Sequence, residues 1–322
     1  MTSLLFLANA LLPHPRVWAL FVLLELAVAV FSLGRPAMGS LSPRLVPEEE
    51  FAAASALFSV YNSLGAVGGP AAAGLLIHFF GFPWTYGIDA VTYLASLAAV
   101  WSLPRLPPLE DVERPSARSI VDGFRFLRGR QALIGIFAID TGAMVFGMPS
   151  ALFPAFALHR LHGNAATFGY LAAAPYAGAL VCSLLSGWCS HVRRMGLGIT
   201  VMACLWGVAI AAFGFSTSFW PALALLAVAG GADFYSAVLR DALLMRSTPD
   251  HLRGRMLGIE FMQVASAPNL GDLEAGVVAS LTSLRFSIVS GGVLCVGVCA
   301  ATALALPGFL RYDSARSDEK PA

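Results

Sequence analysis

Glu25, Asp140, Asp233, Asp272 and Glu274 stand inside apolar stretches of a chain in which only 12% of residues are charged. On insertion scales a carboxylate at the middle of a bilayer costs about 2.5–3.5 kcal/mol, so one retained there points to function. The chemistry open to it is proton carriage, taking up a proton at one face of the membrane and releasing it at the other. One proton crossing a potential of about 100 mV releases roughly 2.3 kcal/mol. That energy drives export if proton and solute compete for one cavity. Asp140, about nine residues into a long apolar run, is the first candidate for coupling acid, followed by Glu25 and Asp233.

Each polar site also has a structural reading. Asp233 lies seven residues before Arg240, two turns along one helix face, so an ion pair competes evenly with substrate contact. Asp89 follows Trp84 closely and reads as an interfacial cap. Glu260 reads as a partner of Arg253 or Arg255 at an inner gate. Asn62, Gln263 and Asn269 read as interhelical hydrogen-bonding groups. His78, His159, His162, His191 and His251 fall at span ends, where interfacial solvation is the ordinary explanation. The five cysteines fall within apolar spans without CxxC spacing and read as small hydrophobes, so no metal or cofactor is expected. A nucleotide-binding loop, HExxH and a Ser/His/Asp arrangement in a polar context are all missing, which argues against ATP-driven transport and intramembrane proteolysis. The chain does not read as an enzyme or a nucleic-acid binder.

The elements that must position these groups are membrane helices. Apolar residues make up 57% of the chain and the mean hydropathy is +0.74. Spans of about 20 apolar residues are the length a helix needs to cross a bilayer. Complete ones are expected near 17–39, 52–77, 84–103, 131–157, 167–190, 196–215, 219–245, 255–281 and 286–308. Residues 3–12 are apolar but too short to cross, and with no positive segment before them they do not read as a signal peptide.

The span at 52–77 contains Gly65-Ala-Val-Gly-Gly69-Pro70-Ala-Ala-Ala-Gly74. Such residues weaken a soluble helix but are tolerated in a bilayer, where small residues admit close neighbours. The stretch has an echo 202 residues later: Pro47 and Glu48 map to Pro249 and Asp250, Gly69 to Gly271 and Gly74 to Gly276. A bendable helix repeated in parallel register is the mark of a transporter built from two related halves.

Basic residues orient the spans. If the one at 17–39 runs inward, inner loops and tail hold Arg44, Arg105, Arg114, Arg118, Arg125, Arg128, Arg130, Arg193, Arg194, Arg246, Arg253, Arg255, Arg311, Arg316 and Lys320. Outer loops hold only Arg16, Arg160 and Arg285, with Arg35 and Arg240 near helix ends. The positive-inside rule then puts the C-terminus in the cytoplasm. The long polar connection at 104–130 places Ile120, Val121, Phe124 and Leu127 on one face, as an interfacial amphipathic helix would, with a solvated linker turn as the alternative.

Several motifs resemble those of the major facilitator superfamily. Gly65-x-x-x-Gly69-Pro70-x-x-Ala73-Gly74 resembles its antiporter motif, with alanine replacing one glycine. Pro43-Arg44-Leu45-Val46-Pro47-Glu48-Glu49, Phe146-Gly147-Met148-Pro149 with Ala151-Leu152-Phe153-Pro154, and Pro249-Asp250-x-Leu252-Arg253-Gly254-Arg255 are similar to its enterobactin-exporter-like branch. Leu270-Gly271-Asp272-x-x-Ala275-Gly276 and Ser287-x-Val289-Ser290-Gly291-Gly292 join them, so that the resemblance covers essentially the whole chain. It departs at Gly187-x-x-x-His191-x-Arg193-Arg194-x-Gly196, where histidine replaces the aspartate favoured by the family pattern.

The resemblance implies a twelve-helix fold with Glu25, Asp140 and Asp233 on helices around a central cavity, and Asp272 and Glu274 at the interface between halves. It further implies an inner gate built from Arg193, Arg194, Asp250, Arg253, Arg255 and Glu260. The expected organisation is an all-α integral membrane protein with an incomplete N-terminal bundle at 1–103 and a cytoplasmic linker at 104–130. A six-helix bundle at 131–310 and a cytoplasmic tail at 311–322 complete it. The expected activity is proton-coupled antiport of a siderophore-like or amphipathic small molecule across the cell membrane, by a monomer. Cavity-lining apolar residues look alike across drug, siderophore and lipid exporters, so the substrate stays open. The repeat offset also implies that about 70 residues of a first half are missing before Met1. A non-transporting fragment, from a misplaced start or a decayed gene, is therefore the competing reading.

Overall fold

The computed structural model describes residues 2–30, 50–102, 123–187 and 192–312. The motif at 43–49, His191, the linker at 104–122 and the tail beyond Tyr312 lie outside the described residues. The described residues are helical nearly throughout and divide into two compact units, Met1–Val112 and Glu113–Ala322.

The first unit holds α1 (Thr2–Ala10), α2 (Val17–Val30) and α3 (Phe51–Trp101). The Asn9 side chain closes the turn after α1, its Oδ1 accepting from the Arg16 amide at 3.0 Å. Helix α3 runs for 51 residues, which at about 1.5 Å per residue is more than twice the thickness of a hydrocarbon core. The two separate spans expected here are therefore joined in one helical run, broken at Gly81 (φ 76°, ψ 175°). That backbone region is open essentially to glycine alone. Pro83, two residues on, removes a further amide donor. Phe6 of α1 stacks on Tyr86 of α3 with ring centroids 5.4 Å apart.

The second unit begins at a short helical turn, α4 (123–127), and continues with α5 (Gln131–Phe146), a 3-10 turn at Ser150–Leu152 and α6 (Phe153–His159). Then follow α7 (Ala165–Leu184), α8 (Met195–Phe215), α9 (Phe219–Ser247), α10 (Asp250–Leu281), α11 (Leu284–Ala305) and α12 (Pro307–Leu310). Local signals set several starts. Asn164 caps α7 in a box with Thr167, each side chain answering the other's amide at 3.2 Å. Ser283 accepts from the Phe286 amide at the head of α11.

Small residues fix how closely these helices cross. A methyl group on Gly178 of α7 would collide with the Ala227 carbonyl of α9, and one on Gly230 of α9 with the Pro175 carbonyl of α7. The two backbones therefore touch, as membrane helices do where small residues meet. The core around these helices is filled by Phe156, Phe213, Leu226, Leu239 and Leu243, with the Phe156 and Phe213 rings 4.2 Å apart.

Six helices among the described residues are long and apolar enough to cross a membrane. The difference from nine expected spans has physical causes. Two expected spans merge in α3, α2 is described over only part of its expected length, and α10 is too polar to qualify by composition.

Candidate functional site

Asp140 sits on α5 with only 4% of its surface exposed. Its Oδ1 lies 2.9 Å from Nη2 of Arg240 on α9, and its Oδ2 accepts from Nε2 of Gln263 on α10 at 2.9 Å. Gln263 also donates to the Phe137 carbonyl, at 3.3 Å. One carboxylate thus ties three helices together. Arg240 is itself 93% buried, its Nη1 donating to Ser236 Oγ at 2.9 Å and lying 3.8 Å from Oδ1 of Asp233. The Asp233 side chain is 45% exposed, so the guanidinium spans from a buried acid to an accessible one. Desolvating such a pair costs several kcal/mol per ion, and stripping one partner from it costs about 3–5 kcal/mol.

Glu260 and Asp241 extend the cluster. Their carboxyls lie within hydrogen-bonding reach across α10 and α9, and Glu260 also feels the charges of Arg240 and Asp140. Four acids, Asp140, Asp233, Asp241 and Glu260, therefore gather in one cluster with Arg240. Beside Asp140, α5 and α11 frame an open groove of about 510 Å³ lined by Phe137, Ala138, Thr141, Val145 and Val298 among others, with Thr141 its one polar side chain.

The other expected residues sit elsewhere. Asp272, on α10, accepts from Ser150 Oγ at 2.8 and 3.0 Å and from the Ala151 amide at 2.8 Å. Glu274 is partly buried two residues further along α10. Glu25 is exposed on α2 in the first unit. In α3, Gly65 and Gly69 face open space, Pro70 is half-buried and Gly74 buried. Arg193 and Arg194 are exposed before α8, while Arg253 and Arg255 are exposed on the first turns of α10. Arg253 reaches the Met245 carbonyl at 3.5 Å. Asp250 opens α10, and its side chain is outside the described residues.

Arg240 needs correcting. Read from sequence as lying near a helix end, it is a buried group seven residues from the end of α9. Its signal was present, since it is the one cation in the span at 219–245, two turns from Asp233. Its bond to Asp140 crosses 100 residues, and no local pattern reveals it. Asp241 and Ser150 were likewise not singled out.

The described residues are helical nearly throughout, with apolar spans and a charged cluster where three helices meet, the make-up of a multi-pass membrane transporter. The family model of transmembrane secretion effectors matches residues 1–322. The chain belongs to that family, within the major facilitator superfamily and its enterobactin-exporter-like branch. It is 31% identical over 292 residues to the enterobactin exporter EntS of Shigella dysenteriae serotype 1, and 32% identical over 292 residues to that of Citrobacter koseri. Each match covers 90% of this chain and 70% of the relative.

Solved structures agree on the fold. A POT family transporter in complex with 5-aminolevulinic acid superposes with a TM-score of 0.71 at 13% identity, covering 96% of this chain and 81% of that one. An inward-facing, unoccupied bacterial homologue of the human lysosomal transporter Spinster gives 0.69 at 17%, covering 100% and 83%.

Proposed function

We propose that the protein exports a siderophore-like or amphipathic small molecule by proton-coupled antiport, with Asp140 as the coupling acid. The single observation that carries this reading is the buried contact between Asp140 and Arg240, closed by Gln263 from a third helix. Protonation of Asp140 removes the charge that holds Arg240, leaving the guanidinium to Asp233 and loosening α5 from α9. Loss of the proton restores the pair and draws the helices together. The exchange gives the alternating-access cycle a two-state element that a proton biases directly. Asp233, partly accessible beside the same guanidinium, is the acid that a solute meets first.

Glu25, in the amino-terminal half, is a further candidate acid for coupling. Gly65, Gly69, Pro70 and Gly74 would let that half bend, and Arg193, Arg194, Asp250, Arg253 and Arg255 would line the inner gate with the C-terminus cytoplasmic. The protein acts as a monomer in this reading. Enterobactin, exported by the relatives according to their names, is the first solute to try.

The test is enterobactin efflux by the full chain in proteoliposomes under an imposed pH gradient. Asp140→Asn should abolish gradient-driven transport while the purified protein keeps its helical content. Unchanged gradient-driven transport by this variant removes Asp140 from the coupling role.

A further inference from the structure

The span that carries Asp140 is not one helix. Gln131–His159 crosses as a unit by length and composition, yet α5 stops at Phe146, a 3-10 turn follows at Ser150–Leu152, and α6 begins at Phe153. Pro149 lacks an amide donor, and the interruption strips the neighbouring backbone of its helical partners. Inside a membrane such groups must find partners within the protein.

Several backbone groups at this break find partners within the protein. The Gly147 amide donates to Ala143, and the Gly147 carbonyl accepts from Trp206 Nε1, both at 2.8 Å. The Ser150 and Leu152 amides close the local turn onto Met148 and Pro149. The Ala151 amide has no carbonyl to reach within that turn, and Asp272 takes it at 2.8 Å through the same Oδ1 that accepts from Ser150 Oγ. The backbones around it are pressed together. A methyl on Gly271 would stand against the Met144 and Val145 carbonyls, and one on Gly291 against the Phe146 carbonyl.

We infer that Asp272 is a positioning residue, a cap supplied by α10 that holds the 3-10 turn and so sets how α6 is joined to α5. Its partners are one amide and one hydroxyl; both donate to Oδ1, and the hydroxyl also lies 3.0 Å from Oδ2. A neutral amide oxygen at the same place accepts from both. The role therefore lies in the shape of the acceptor and not in a transferable proton, unlike that proposed for Asp140. The assignment gives a use to two motifs that the coupling reading leaves idle, Phe146-Gly147-Met148-Pro149 and Leu270-Gly271-Asp272. It rests on the chain being a transporter, and not on the coupling ion.

Two measurements on the full chain decide it. Hydrogen–deuterium exchange in detergent should show segment 147–159 protected in the wild type and in Asp272→Asn, and exchanging at least tenfold faster in Asp272→Ala. Equal protection in all three overturns the assignment, whatever the transport assay gives. In proteoliposomes loaded with enterobactin, Asp272→Asn should keep at least half of wild-type turnover with an unmoved pH profile. Asp272→Ala should lose turnover more than tenfold with KM within twofold. An Asp272→Asn variant as inactive as Asp140→Asn, with its segment still protected, shows that the charge is what matters and overturns the positioning role. Failure of the coupling proposal alone leaves the exchange measurement untouched.

Discussion

Arg240 reaches Asp140 at 2.9 Å across 100 residues of sequence, and the two are the most deeply buried charges described in the second unit. Neither is tolerable there alone. The energy of the arrangement lies in the mutual dependence of the pair more than in the attraction itself, because desolvation offsets most of the Coulombic gain.

Removing one partner should therefore cost more than removing both. Arg240→Ala is expected to lower unfolding stability in detergent by about 3–5 kcal/mol, and Asp140→Leu combined with Arg240→Met to recover most of that loss. Chemical denaturation followed by circular dichroism measures both. A double variant no more stable than Arg240→Ala would show that the pair is not what holds the three helices.

Trp206 supplies the one donor seen on the Gly147 carbonyl, at 2.8 Å. Trp206→Phe keeps an aromatic ring in the site but leaves that carbonyl bare, an expected loss of about 1–3 kcal/mol. The measurement is the thermal midpoint of the purified protein. No downward shift would mean that water or a neighbouring group replaces the indole.

The α7–α9 crossing has no room for side chains at Gly178 and Gly230. Gly230→Leu should force the two backbones apart and abolish recovery of folded protein, whereas Gly65→Leu, where the side chain enters open space, should leave the yield unchanged. Monodispersity on size-exclusion chromatography reads both variants. Equal yields would refute the close approach.

How far these relationships could be read in the sequence depends on how local they are. Span positions in the second unit follow from apolar length, and α5, α8, α9 and α11 begin within two residues of where the apolar runs place them. The family was legible because its motifs are short and contiguous. Asp140 stood out because a lone acid in an apolar run is conspicuous. Its partners did not, since Arg240 and Gln263 come from helices 100 and 123 residues away and only packing brings them to it. Asp272 shows the opposite difficulty. Its residue type and depth were plain, but what it does depends on a break in another span that apolar length does not register.

The polarity of α10 bears on how the protein is made. This helix of 32 residues is not among those apolar enough to cross a membrane by their own composition. As it leaves the ribosome, a segment carrying Glu260, Asp272 and Glu274 pays a partition penalty that its own leucines and valines do not cover. The segment after α5 and helix α9 are synthesised earlier, and they carry groups that meet two of these side chains: Ser150 and Ala151 meet Asp272, and Asp241 and Arg240 on α9 meet Glu260. Integration of α10 is therefore expected to depend on helices made before it. On that expectation, an early defect in α5 or α9 would surface as a topology error in a helix that the mutation never touched.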